Sequence, residues 1–183
     1  MTRSLRPNAR LWPALGLILL LGACAPKPWD DPIEVTLLVR VEPEEFRVRT
    51  ELPRGLGEHG AAQFRWIVAS AVEGQEESEI LDLERVGRPK ALDSGRSEVI
   101  YRLSPKSFKA FQTQQIRQRA QLLAGYFYID VAVAPDLCSM AGAQASNENV
   151  VSVLYDGASG QKITTVHIPY TAASIQPHVG FCV

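Results

Sequence analysis

From residue 33 onward the chain is built of short runs in which apolar and polar residues alternate, and a period of two suits a strand with one buried and one wet face. In residues 33–41, Ile33, Val35, Leu37, Val39 and Val41 share one parity, and Glu34, Thr36 and Arg40 the other. Residues 46–52 repeat the pattern, with Phe46, Val48, Thr50 and Leu52 against Arg47, Arg49 and Glu51. The link Glu42-Pro43-Glu44-Glu45 predicts a hairpin or an adjacent pair. A glycine-rich loop is expected over 54–60. A strand follows over 63–72, with Phe64, Trp66 and Val68 on one face, and Ala61-Ala62 leaves room for a helical turn. Residues 80–86 and 98–103 add two short strands, the second with Val99, Tyr101 and Leu103 on one face.

One stretch breaks the pattern. Ser104-Pro105 offers an N-cap with proline at the first helical position, and residues 106–123 hold neither glycine nor proline. Phe108, Phe111, Gln115, Arg119 and Leu122 recur at helical spacing, Ile116 and Leu123 widen the apolar stripe, and Gly125 stands where the helix would stop. Beyond it, residues 126–134 alternate Phe127, Ile129, Val131 and Val133 against Tyr126, Tyr128 and Asp130, and Pro135 ends the run. A loop of small residues over 138–149 leads to a strand over 150–155. Asp156-Gly157-Ala158-Ser159-Gly160 then turns the chain into a strand over 161–170, and residues 175–183 are read as a last strand. The sum predicts a mainly β protein, an antiparallel β-sandwich of about seven or eight strands with one helical insertion at about 105–123. Strands with one polar face exclude a buried parallel sheet.

The N-terminus reads differently. Residues 1–10 carry Arg3, Arg6 and Arg10 and no acid, and residues 11–21 are apolar apart from Pro13 and Gly16. An apolar run of about eleven residues fits the core of an export signal and falls short of the roughly 20 that span a bilayer as a helix. The run ends in Leu21-Gly22-Ala23-Cys24, an aliphatic residue three before a cysteine with small residues between. This motif resembles the lipobox of bacterial lipoproteins; an ordinary secretory signal that ends in cysteine is the alternative. The resemblance implies cleavage before Cys24, a diacylglyceryl group on its sulfur and, in many bacteria, a further palmitate-type acyl chain on its amino group. Two or three chains, at about 0.8 kcal/mol per buried methylene, hold a protein on a membrane essentially permanently. Ala25 follows, not the aspartate that retains lipoproteins in the inner membrane, so the resemblance implies the periplasmic face of the outer membrane. The expected organisation is a signal peptide over 1–23, a proline-rich tether over 24–32 and a single folded domain over 33–183. Pro26, Pro28 and Pro32 keep the tether from forming a helix or a central strand, and residues 25–32 span about 25 Å when extended.

Export also sorts the cysteines. With Cys24 acylated, Cys138 and Cys182 are left outside the cytoplasm and are expected to pair, a cross-link worth roughly 4 kcal/mol in the chain-entropy view. A metal pair completed by His167 or His178 is the alternative, without the close Cys-x-x-Cys spacing of zinc sites. Without Arg3, Arg6 and Arg10 the 19 bases become 16 against 20 acids, a formal charge of −4. That balance argues against nucleic acid, whose phosphates require a basic footprint.

No catalytic, cofactor or metal motif emerges. Gly157-Ala158-Ser159-Gly160 lacks the spacing of a hydrolase nucleophile elbow and reads as turn chemistry. No phosphate loop, His-Glu-x-x-His or dinucleotide fingerprint is present. His59, His167 and His178 are isolated, and Glu44, Glu45, Asp130 and Asp136 make carboxylate pairs only on paper. The chain is therefore expected not to be an enzyme. Charge patterning says more. Residues 73–84 carry Glu73, Glu76, Glu77, Glu79, Asp82 and Glu84 and no base, whereas the helical stretch carries Lys106, Lys109, Arg117 and Arg119 and no acid. These are either two solvated faces or a bipolar surface for a partner, with the four cations as candidate partner-binding residues. A further reading rests the basic helix on anionic headgroups.

Tyr101-Arg102-Leu103 followed by residues 106–111 also resembles the strand-then-helix passage of the outer-membrane lipoprotein of type VI secretion systems, a transthyretin-like sandwich that anchors an inner-membrane component. The Asn-Pro turn of that family is not found ahead of the strand. The expected function is a membrane-anchored, non-enzymatic envelope lipoprotein, without a cofactor, that binds an envelope protein or stabilises an assembly. The alternatives are a carrier of a small or lipidic ligand that uses Trp66, Tyr126 and Tyr128, and a hydrolase of envelope polymers.

Overall fold

The structure, a computed structural model, describes residues 33–69, 76–125 and 129–182. The signal peptide, Cys24 and the tether therefore lie outside the described residues, as do residues 70–72 and Tyr126 to Tyr128. The described chain is mainly β: β1 (Phe46–Leu52), β2 (Leu56–Ala69), β3 (Glu76–Ala91), β4 (Ser97–Leu103), β5 (Ile129–Ser139), β6 (Asn149–Asp156) and β7 (Lys162–Thr171). A single-turn helix α1 (Val35–Leu38) precedes them, α2 (Phe108–Leu123) joins β4 to β5, and a short α3 (Ala172–Ile175) follows β7. All seven strands are antiparallel neighbours in one sheet, in the order β5-β2-β3-β4-β1-β6-β7.

That sheet is strongly curled. β1 and β2 stand three strands apart in the order, about 14 Å along a flat sheet at the usual strand spacing. Yet the rings of Phe46 on β1 and Phe64 on β2 are 5.0 Å apart between centroids. The concave faces thus look at each other, and the two layers of the sandwich are two halves of one nearly closed sheet. Phe46, Val48, Phe64, Trp66, Tyr101 and Leu154 are wholly buried between them. At the β5 edge Ser139, at the end of that strand, donates its N–H to the Gly180 carbonyl (2.7 Å) and accepts from the Cys182 N–H (2.9 Å). The C-terminal segment covers this edge, which a free strand would otherwise leave open to another chain.

Three expectations need correction. Residues 33–41 are not a strand: the N–H groups of Leu38 and Val39 bond back to Glu34 and Val35 in a helical turn. Leu38, Val39 and Val41 are all buried, so both parities face the core and the alternation carried no strand. Their carbonyls are taken by α2, with the Gln115 amide donating to Leu38 (3.1 Å) and Val41 (2.8 Å). Residues 54–60 are largely strand, not loop: β2 begins at Leu56 and bulges between Glu58 and Ala62 against β5, with Gly60 at φ +97°. Gly57 is required for a different reason, since a Cβ there would stand 2.6 Å from the Cys182 sulfur. Lastly, of the stretch expected as a last strand, residues 175–182 contribute one isolated bridge, Phe181 with Ser139, and hold the end of α3 and a short 3-10 turn.

β5 continues through Pro135 to Ser139, which an edge strand with a bulge tolerates because the lost N–H faces no second partner. The β6–β7 hairpin forms where the Asp156-Gly157 turn placed it.

Candidate functional site

The antiparallel register sorts the connections to two ends of the curled sheet. At one end lie the starts of β1, β3, β5 and β7, the ends of β2, β4 and β6, and helix α2. At the other lie the loop 140–148, α3, the C-terminal segment and the disulfide.

The helix end holds the sequence-predicted cations. Ser104 and Pro105 open a 3-10 turn, and α2 proper begins at Phe108. The Ser104 side chain does not cap it; instead the Ser107 hydroxyl accepts from the Asp82 N–H (2.9 Å) and fixes the helix start to β3. Phe111 enters the concave face, with its ring centroid 5.0 Å from that of Phe46 and 5.3 Å from that of Trp66. Around it, however, the helix buries glutamines. Gln114 donates to the Trp66 carbonyl (3.2 Å), Gln115 to α1, and the fully buried Gln118 finds no hydrogen-bond partner for either polar atom among the described residues. Ile116 and Leu123, expected on the apolar stripe, point outward and are 65% and 91% exposed. Of the three buried amides, Gln114 reaches β2 and Gln115 the α1 segment.

Two of the four cations meet the acidic run. Lys106 Nζ lies 2.9 Å from Asp82 Oδ2 and Arg117 Nε 3.2 Å from Glu77 Oε2. Arg102 also pairs with Glu84 at 2.7 Å. Two of the four helix cations are thus paired with acids of β3. Arg119 turns its guanidinium to the Val39 carbonyl (Nε 3.0 Å), a structural bond to the α1 segment. Lys109 is exposed and makes no ion pair among the described residues.

At the other end Cys138 and Cys182 form a disulfide, Cα to Cα 5.0 Å, so the metal alternative loses its thiolates. Gln176 ties the C-terminal turn to the loop, donating to the Ala143 carbonyl (2.8 Å) and the Ser139 hydroxyl (3.1 Å) and accepting from the Ala145 N–H (3.2 Å). Beside the disulfide, Leu52, Leu56, Pro89, Leu92 and Met140 line a mostly apolar groove of about 450 Å³. Met140 is 46% exposed, and Phe181, next to Cys182, 72%.

Between the ends sits a buried polar cluster with no counterpart in the sequence reading. The Glu58 side chain is fully buried; it accepts from Arg85 (2.5 Å) and from the Gly60 N–H of its own bulge. Burial, and next the Glu58 carboxylate, push the neighbouring Tyr101 phenol far above its ordinary range. The available signal was the glycines flanking Glu58, which mark a bulge inside a strand rather than a loop.

The remaining candidates form no constellation. The Ser159 hydroxyl donates to Asp156 Oδ2 (2.6 Å), which is turn chemistry. Among the described residues no three His, Cys, Asp or Glu side chains are grouped to hold a metal ion. Comparison with protein-family models, with curated proteins and with solved structures finds no match for this chain.

Proposed function

We propose that this chain is a lipid-anchored protein of the bacterial envelope whose curled sheet is a non-enzymatic binding or assembly module. The carrying observation is Leu21-Gly22-Ala23-Cys24 after a basic and apolar leader, with a proline-rich stretch between Cys24 and the domain that opens at Ile33. A tether of this kind suits a module that works where it is held, on the periplasmic face of the outer membrane. The domain's own features support binding over chemistry. The buried Glu58 carboxylate is closed by its bonds to Arg85 and the Gly60 N–H, and the aromatic interior is filled by rings in mutual contact. The exposed apolar side chains Met140 and Phe181, beside the groove at the end away from Ile33, offer an envelope protein an accessible contact.

Two measurements test this reading. Fatty-acid labelling of the full chain is expected, and its loss on Cys24→Ala identifies the acylated residue; a wild-type chain that takes up no label refutes the anchor. Capture from detergent-solubilised membranes is expected to recover one reproducible envelope protein, lost with Met140→Glu plus Phe181→Glu. Recovery of nothing reproducible by the wild-type protein refutes the binding module.

A further inference from the structure

We infer that the outward face of α2 is the surface the domain lays against the bilayer that holds Cys24, an orientation that rests on the lipoprotein reading above. The first support is where the chain comes in. The Glu34 N–H bonds to the Ile163 carbonyl (2.8 Å) at the start of β7, and Gln115 and Arg119 of α2 bond to the carbonyls of Leu38, Val39 and Val41. Ile33 and α2 therefore share one end of the sheet. Residues 25–32 can span no more than about 25 Å even when extended, so this end is the one held near the headgroups.

The second support is the helix face itself. Ile116, Ala120 and Leu123 follow at spacings of four and three and make one stripe, opposite the buried Phe111, Gln114 and Gln118. Leu123, 91% exposed, is the most exposed large apolar side chain among the described residues, and Ile116 is 65% exposed. Lys109 stands at the N-terminal end of the same exposed side, and α2 carries no acid. An apolar stripe with the exposed Lys109 at its N-terminal end, on an acid-free helix, has the chemistry of an interfacial helix, whose apolar side chains sink into the headgroup boundary while that lysine meets a lipid phosphate.

The test uses the full, acylated chain in vesicles of phosphatidylcholine and phosphatidylglycerol. With Cys24 acylated and Cys138 bonded to Cys182, a Leu123→Cys thiol is the free one, and it carries an environment-sensitive fluorophore; Met140→Cys carries the same label at the opposite end. The position 123 label is expected to shift to the blue and to be quenched by lipids with a nitroxide near the headgroup, and the position 140 label to do neither. Adding Ile116→Glu is expected to reduce the quenching at position 123 while fatty-acid labelling of Cys24 is retained. A position 123 label that stays aqueous on a chain shown to be acylated overturns the orientation and leaves the anchor standing. A chain that is not acylated overturns both. A blue shift that grows with protein density and needs no vesicles assigns the face to a second copy of this chain and also overturns the proposal.

Discussion

The two ends of the sheet are closed by opposite means. The helix end is plugged by the fully buried Phe111 ring amid buried glutamines, with Phe108, Ala110 and Leu122 packed part-buried around it, and is tied to α1 by side-chain bonds to backbone carbonyls. The disulfide end is cross-linked covalently, with Gln176 stitching the last turn to the loop. A plug that relies on few apolar contacts is held by enthalpically good bonds whose net worth in water is only about 1 kcal/mol each. A cross-link acts instead by restricting the unfolded chain. The helix end should therefore open locally more readily than the disulfide end, and hydrogen exchange resolves this, with α2 amides exchanging before those of β1, β4 and β6.

The strongest way to break the contrast is at the plug. Phe111→Ala removes a fully buried ring from contact with Phe46 and Trp66, and an expected loss of about 3–5 kcal/mol would be read by urea unfolding. A loss under about 1 kcal/mol would mean that α2 contributes nothing to closing the core. Removal of the cross-link by Cys138→Ala plus Cys182→Ala is expected to cost less, about 2–4 kcal/mol, without exposing α2 further to hydrogen exchange.

The strands were legible where one face met water and the other the core. Phe46 to Leu52, Val99 to Leu103 and Asn149 to Asp156 follow their alternation because their neighbours on both sides are other strands. Residues 33–41 show the same alternation without the same surroundings: α2 supplies hydrogen-bond donors to their carbonyls and buries Leu38 together with Val39. The pairing of Cys138 with Cys182 followed from counting. The pairing of the helix cations with the acids of β3 did not, because a charge pattern states composition and leaves distance to the fold. Gln114 and Gln115 were least legible of all: their amides are buried against carbonyls of Trp66, Leu38 and Val41, and none of those segments is near in sequence.

Midway between the ends, Tyr101 gives the comparison a pH axis. Burial first, and then the Glu58 charge, raise its pKa in the folded protein above the ordinary 10.0; burial raises that of Tyr155 in the same direction. Below pH 10 both folded and unfolded chains keep the Tyr101 proton, and the stabilisation is fully present. Above pH 10 the unfolded chain ionises while the folded one does not, so stability falls by about 1.4 kcal/mol per pH unit from this residue. Tyr101→Phe is expected to flatten that slope by the same amount in unfolding titrations between pH 10 and 11. An unchanged slope would mean that the phenol reaches solvent.

A smaller effect separates packing from polarity at the plug. Gln118→Met keeps the shape of the side chain and removes two buried polar atoms without partners, so it is expected to raise stability by about 1 kcal/mol. A decrease of similar size would show that water reaches under α2 and bonds the amide there, which would also lower the barrier to local opening of the helix.

The least effect is expected at the surface pairs, and its smallness is what makes it informative. Lys106 and Asp82 are both well exposed, and Arg117 and Glu77 about half, so their attraction is screened and each pair contributes under about 0.5 kcal/mol. Lys106→Ala and Arg117→Ala should leave the unfolding midpoint almost where it was. If these cations serve a partner, as the sequence alone suggests, the same variants must slow capture of that partner and weaken its salt dependence while stability stays fixed. Unchanged capture alongside unchanged stability would instead leave Asp82 and Glu77 as the partners of these two cations and the binding surface at the disulfide end alone.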